Sequence, residues 1–216
     1  KNAKPINMYK IGYVDEDRGQ RNTFYNALKD DFKVKLFEIT QETESQTLAE
    51  DILSSSIDML VLDFRLDENG LVDFNADELL EKIQEVNKHF PLVILTSHEL
   101  DALDHIPNAN LVNGKDEMLG AKIGVFKQKL NKIANNYKDA IVTAQKELKE
   151  LEQKRETEGL MPNDEDRYVE LNHYLDQTVS AKGHISRSFY SEDTNKRLDE
   201  LIAKTEELIN KIPDSQ

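Results

Sequence analysis

The stretch Leu60-Val61-Leu62-Asp63-Phe64-Arg65 constrains the fold of this chain more than any other. Its apolar run is too short for an ordinary helix and reads as a strand buried on both faces. Such a strand belongs to a parallel sheet enclosed by helices. The aspartate that ends the run would then lie at the carboxyl ends of the strands, where open α/β sheets bind their ligands. Taken alone, Asp63 fits a cap for the following turn equally well.

Four more segments read as strands. Tyr9 to Val14 runs straight into Asp15-Glu16-Asp17, and Phe32 to Ile39 alternates apolar residues with lysines, as a half-exposed strand does. Pro91 breaks the chain before Leu92-Val93-Ile94-Leu95, which stops at Thr96-Ser97. Ala109 to Val112 is a weaker strand, after which Asn113-Gly114 turns the chain and presents Lys115. Between the strands lie helical patterns: Phe24 and Leu28 within 21–29, Leu48, Ile52 and Leu53 within 43–54, Leu79, Leu80 and Ile83 within 76–86, and a short helix over 99–105. The connection from Phe64 to about Phe74 is long and carries a turn at Asp67-Glu68-Asn69-Gly70, which marks a functional or mobile loop. After a polar lead over residues 1–8, the alternation predicts a five-stranded, parallel, doubly wound α/β sheet over 9–130.

Beyond Lys115 the pattern changes. Residues 119–158 contain no proline, and Ile123, Phe126, Leu130, Ile133, Tyr137, Ala140, Ala144, Leu148 and Leu151 form a heptad-like seam. This predicts a helix of about 40 residues, too long to pack wholly on a small sheet. Gly159 and Pro162 stop it and start a second helix, marked by Tyr168, Leu171, Leu175 and Val179. A break over 183–191 and a third stripe from Leu198 to Ile212 complete a helical hairpin over 119–213, continuous with the last helix of the sheet domain and broken on its return arm. The seam reads as packing, closed within the chain or by a second copy in a homodimer. His173 and His184 read as solvated residues of helix and loop, and His98 as a residue of the pocket rim.

The charge balance narrows the function classes. A net charge of −14 and no basic stripe argue against nucleic acid and anionic membranes as partners. The sequence has no cysteine, which excludes disulfides and thiolate metal sites and is compatible with a reducing compartment. No run approaches a membrane span and no secretory signal is visible, so a cytoplasmic location is expected. The first residue is Lys1 and not a Met, so a preceding segment is expected.

A parallel sheet gathers its strand ends on one edge. The acids after the first strand, Asp63, Thr96-Ser97 and Lys115 would converge there. Facing carboxylates repel unless a cation joins them, and a hard divalent ion with oxygen ligands and retained waters, Mg²⁺, fits such a set. A hydroxyl and an ammonium beside it would meet the remaining oxygens of a phosphoryl group, and a carboxylate can be the nucleophile that forms an acyl phosphate.

Asp15 with Glu16, Asp63, Thr96 and Lys115, in this order at the ends of these apolar runs, closely resemble the receiver domain of two-component response regulators. The resemblance covers about residues 9–130. It implies that Asp63 accepts a phosphoryl group from a histidine kinase or phosphotransfer protein. It implies that Asp15, Glu16, Asp63 and the backbone carbonyl of Arg65 hold Mg²⁺, and that Thr96 and Lys115 bind phosphoryl oxygens. Arg65 and Ser97 would tune the lifetime of the acyl phosphate. Asp17 would replace a member of the acidic pair if the register shifts by one. The chain departs from the family at Asp67 and Asp116, where proline is common, and at Val112, where a switch aromatic often sits. The expectation is therefore a phospho-accepting receiver, not a turnover enzyme, whose helical arm binds a downstream protein. The alternatives are an inert receiver serving as a structural adaptor, and a phosphate sink without output. An aspartate-based phosphatase is disfavoured by Arg65, which stands where such enzymes carry a second acid.

Overall fold

The computed structural model describes residues 8–179, together with Leu201 and Lys204. The expected break over 183–191, His184 and most of the third stripe lie outside the described residues. Five strands, β1 (Lys10–Val14), β2 (Lys33–Phe37), β3 (Met59–Leu62), β4 (Leu92–Thr96) and β5 (Val112–Gly114), form one all-parallel sheet in the order β2-β1-β3-β4-β5. They alternate with α1 (Arg18–Leu28), α2 (Ser45–Ser54), α3 (Ala76–Val86) and α4 (Glu99–His105). Two long helices follow, α5 (Ile123–Thr157) and α6 (Pro162–Val179).

The central strands β3 and β4 are buried at every position because both faces of the sheet are covered there, whereas the edge strand β2 alternates lysines with apolar residues and is only partly buried. Along β3 the side chains alternate: Leu60 and Leu62 pack with Leu48, Ile52, Leu79 and Ile83 of α2 and α3, while Met59 and Val61 pack with Phe24 and Leu28 of α1 and Phe126 and Leu130 of α5. Burying a side chain such as Phe24 or Phe126 contributes roughly 1.5–3 kcal/mol. The first half of α5 is tied down by polar contacts as well. Lys138 pairs with Asp58 at 2.8 Å, and the Tyr9 hydroxyl donates to Asn135 at 2.5 Å.

The last strand differs from the sequence expectation. Residues 109–111 form a 3-10 turn, and the strand is Val112-Asn113-Gly114, so the Asn-Gly pair that reads as a turn is sheet. The buried Asn113 amide donates to the carbonyls of Ile94 and Leu111, and its oxygen accepts from Lys129 of α5. The distant partners, Ile94 and Lys129, outweigh the local turn preference. The long helix also begins later than expected. Two 3-10 turns, Lys115–Met118 and Gly120–Lys122, precede it, and Gly120 takes a positive φ of 53° that a helix cannot continue through.

The chain divides into two compact units after Asp139. In the second, α5 and α6 form an antiparallel hairpin. Gly159 turns the chain with φ 79°, Lys154 meets Asp164 at 2.6 Å, and Arg167 grips Glu147 through two bonds of 2.7 and 2.8 Å. Among its described residues, Ala144, Val169 and Leu171 are the buried apolar ones. Among the described residues, no helix is long and apolar enough to cross a membrane.

Candidate functional site

The sheet register assembles the site. Val14 of β1 pairs with Leu62 of β3, and the Asp63 N–H donates to the Val14 carbonyl at 2.9 Å. Asp15 and Asp63 therefore leave adjacent strands side by side. Thr96 pairs with Gly114, which puts Lys115 just past the same edge. The order of strands reverses at β1 and β3, with β2 on one side and β4 on the other, the place where open α/β sheets form a binding crevice.

Asp15, Glu16 and Asp63 each bring a carboxylate oxygen within 4.8 Å of the others. Asp15 is fully buried, and Asp63 and Glu16 nearly so. The Lys115 ammonium lies 2.9 Å from Asp15 and 3.0 Å from Asp63. One cation thus faces three acids. Burial and the neighbouring Asp15 push the Asp63 carboxyl up to about 6 against the pull of Lys115. Burial, aided by Asp15 and Asp63, pushes Glu16 up to about 7. Burial disfavours the Lys115 ammonium, but Asp63 and Asp15 outweigh it and raise its pKa. The Glu16 Oε2 atom is buried with no hydrogen-bond partner. An orphaned carboxylate oxygen in an under-neutralised oxygen-only cluster is what a hard divalent cation such as Mg²⁺ satisfies, so these residues fit that ion.

The cleft above the cluster holds about 410 Å³ and is rimmed by Asp17, Gln20, Glu68, Asn69, Ser97 and His98. A wider groove of about 630 Å³ lies between residues 41–46 and 70–74, but the acidic triad is not in it. Asp17 stands outside the triad: its side chain caps α1 by accepting the Gln20 N–H at 2.7 Å. Thr96 is fully buried, and its hydroxyl accepts the His98 N–H at 3.0 Å. Ser97 is exposed at the rim. The Arg65 side chain does not line the cleft. It bonds Asp101 of α4 at 2.6 Å and lies 3.5 Å from Asp67. The loop after Asp63 is built: Asn75 accepts the N–H groups of Leu66 and Asp67, Gly70 turns it with φ 69°, and Asn69 reaches the Glu16 carbonyl at 3.4 Å.

Two residues at the site carry no obvious sequence signal. Arg21, buried on α1, donates to the Asp15 carbonyl at 2.6 Å. Tyr13 donates its hydroxyl to the Asp15 carboxylate at 2.6 Å, and burial raises its pKa first, with Asp15 adding to it. The only hint was spacing: two residues apart on a strand means the same face.

The raised carboxyls set a pH dependence. Between about pH 4 and about pH 7 the folded chain holds protons on Asp63 and Glu16 that the unfolded chain has released. Stability of the metal-free protein therefore falls as pH rises through this window. Asp116 and Asp164, held low by Lys122 and Lys154, act in the opposite sense only under more acidic conditions. Thermal melts are expected to show Mg²⁺ raising the melting temperature at about pH 8 and leaving it nearly unchanged at about pH 5. Equal stabilisation at both would contradict a carboxylate site.

No protein-family model matches the sequence, and no curated protein matches it. Among solved structures, a response regulator receiver protein from Sinorhizobium medicae superposes with a TM-score of 0.45 and 17% identity, over 60% of this chain and 97% of that one. A trimeric coiled-coil segment of yeast Spc42 fused to another protein superposes with a TM-score of 0.47 and 24% identity, over 69% of this chain and 93% of that one. Resemblances at this level carry no chemistry, which rests here on the side chains of the cleft.

Proposed function

We propose that this chain is a phospho-accepting receiver of two-component type, with Asp63 as the acceptor. The observation that carries the reading is the buried triad of Asp15, Glu16 and Asp63 at one strand edge, with the Lys115 ammonium 3.0 Å from Asp63. Asp15, Glu16 and Asp63, with the Arg65 backbone carbonyl, would hold Mg²⁺. When bound, that ion supplies charge neutralisation for phosphoryl oxygens. An Asp63 carboxylate oxygen attacks the phosphorus of a phosphohistidine. The P–N bond breaks, the imidazole leaves with the bonding pair, and an acyl phosphate forms. Lys115 turns from Asp63 to a phosphoryl oxygen, so the positive charge already at the nucleophile follows the negative charge that arrives. Thr96 uses its hydroxyl to accept the His98 N–H, which leaves its own proton to donate to a second phosphoryl oxygen. Ser97, at the rim, would affect the approach of water. Arg65, held by Asp101, would act on lifetime only after leaving that carboxylate.

In this reading the donor is a histidine kinase or phosphotransfer protein in the cytoplasm, and the helical arm engages a downstream protein. Incubation with Mg²⁺ and acetyl phosphate, followed by intact-mass measurement, tests it. One phosphoryl adduct per chain is expected, dependent on Mg²⁺ and released by base or hydroxylamine as an acyl phosphate is. No adduct, together with no Mg²⁺-dependent stabilisation by beryllofluoride, would sink the reading and leave an inert adaptor. An adduct without any change in solution shape would favour the phosphate sink.

A further inference from the structure

We propose that Tyr13 is a positioning residue of the carboxylate cluster, its hydroxyl fixing Asp15 as a cation ligand. The inference rests on the reading of the cleft as a Mg²⁺-dependent phosphoryl acceptor. Tyr13 is fully buried, and its ring lies parallel to Phe24 with centroids 3.9 Å apart and an interplanar angle of 4°. The ring therefore has one orientation available to it, and strand alternation puts Asp15 on the same face two residues on. The hydroxyl donates to Asp15 Oδ2 at 2.6 Å. The same oxygen accepts from Lys115 at 2.9 Å, while Oδ1 accepts the Asp17 N–H at 2.9 Å.

Asp15 thus has three donors, whereas Glu16 has an oxygen with none. A phenylalanine would stack on Phe24 equally well, so packing does not account for the hydroxyl. Its work is electrostatic and geometric. It holds the Asp15 carboxylate in one rotamer, as hydrogen bonds behind a metal ligand do. It also takes up part of the Asp15 charge, so that the Lys115 ammonium stays divided almost evenly between Asp15 and Asp63 at 2.9 and 3.0 Å. Without the hydroxyl, Asp15 gains freedom and draws Lys115 away from the acceptor.

Calorimetric titration with MgCl₂ tests this. Tyr13→Phe is expected to bind Mg²⁺ about tenfold more weakly. Its rate of phosphorylation by acetyl phosphate should return toward wild type at saturating Mg²⁺, a change in apparent affinity and not in maximal rate. Phe126→Leu, a change in the same apolar cluster away from the cleft, should lower the melting temperature and leave Mg²⁺ affinity within about twofold. A purely structural role for Tyr13 predicts that both variants lose stability and neither loses affinity, and that result would overturn the proposal. A second measurement needs no variant. The buried phenolic proton of Tyr13 should give a slowly exchanging NMR resonance in the wild type that moves on addition of Mg²⁺. A resonance unmoved at saturating Mg²⁺ also overturns it. If the wild type takes up no Mg²⁺ at all, the reading of the cleft fails and this inference falls with it. If the wild type binds and Tyr13→Phe binds equally, only this inference falls.

Discussion

Asp63→Asn is expected to abolish Mg²⁺-dependent phosphorylation and, in the same protein, to raise the melting temperature of the metal-free chain at about pH 7.5. The two effects share one cause. Asp63 is nearly buried, between Asp15 and a lysine that it shares with it. Its carboxyl, ordinarily at 3.8, is pushed up to about 6, so the ionised form opposes folding at neutral pH. A shift of that size corresponds to roughly 2–3 kcal/mol. Asparagine has nearly the same shape and no charge. It removes the nucleophilic oxygen and one of three crowded negative charges together, while Lys115 keeps Asp15. For a sheet domain of this size the gain corresponds to a rise of about 5–10 °C. Near pH 5, where Asp63 is largely protonated, the wild type and the variant should melt closer together. A variant less stable than wild type at neutral pH would mean that Asp63 stabilises the fold, contrary to a site held under strain for a ligand.

Charge buried at strand ends is also what made the candidate site legible in the sequence. β3 is apolar at every position and is followed by Asp63, and β4 is apolar up to its last residue, Thr96, two polar residues with no packing reason to be there. Their bounds, and those of α3, follow from period and from the breaks at Pro91 and in the loop after Asp63. What was not legible depends on partners distant in sequence. Asn113 reads as a turn until Lys129 and the Ile94 carbonyl are beside it. Arg65 carries no sign that Asp101 will hold it, because 36 residues separate them. Tyr13 looks like any aromatic strand residue, and only its hydroxyl, which periodicity cannot weigh, makes it different. The start of α1 separates the three consecutive acids: Asp15 and Glu16 cluster with Asp63, while Asp17 caps that helix.

Lys115→Met should produce the opposite stability change to Asp63→Asn and a comparable loss of phosphorylation. The Lys115 side chain is only 14% exposed, and its two partners are buried. Removing one member of a buried ion pair leaves uncompensated charge and costs about 3–5 kcal/mol. The expected fall in melting temperature at about pH 7.5 without Mg²⁺ is roughly 10–15 °C. Exposure sets the scale: the Lys122–Asp116 pair is more than half exposed on both sides, and Lys122→Met should leave the melting temperature almost unchanged. The Lys115 deficit should shrink near pH 5, where Asp63 and Glu16 take up protons, and again with Mg²⁺ at neutral pH, where a cation stands in for the ammonium. Phosphorylation should not recover in either case. The cation relieves the crowded carboxylates, but the donor that follows the phosphoryl oxygens is gone, and a rate loss of about 100-fold or more is expected. Melts and phosphorylation rates on one preparation therefore separate two roles of a single ammonium. If Mg²⁺ restored both, Lys115 would be only a counter-ion for the acids, and its place beside Asp63 would have no chemical meaning.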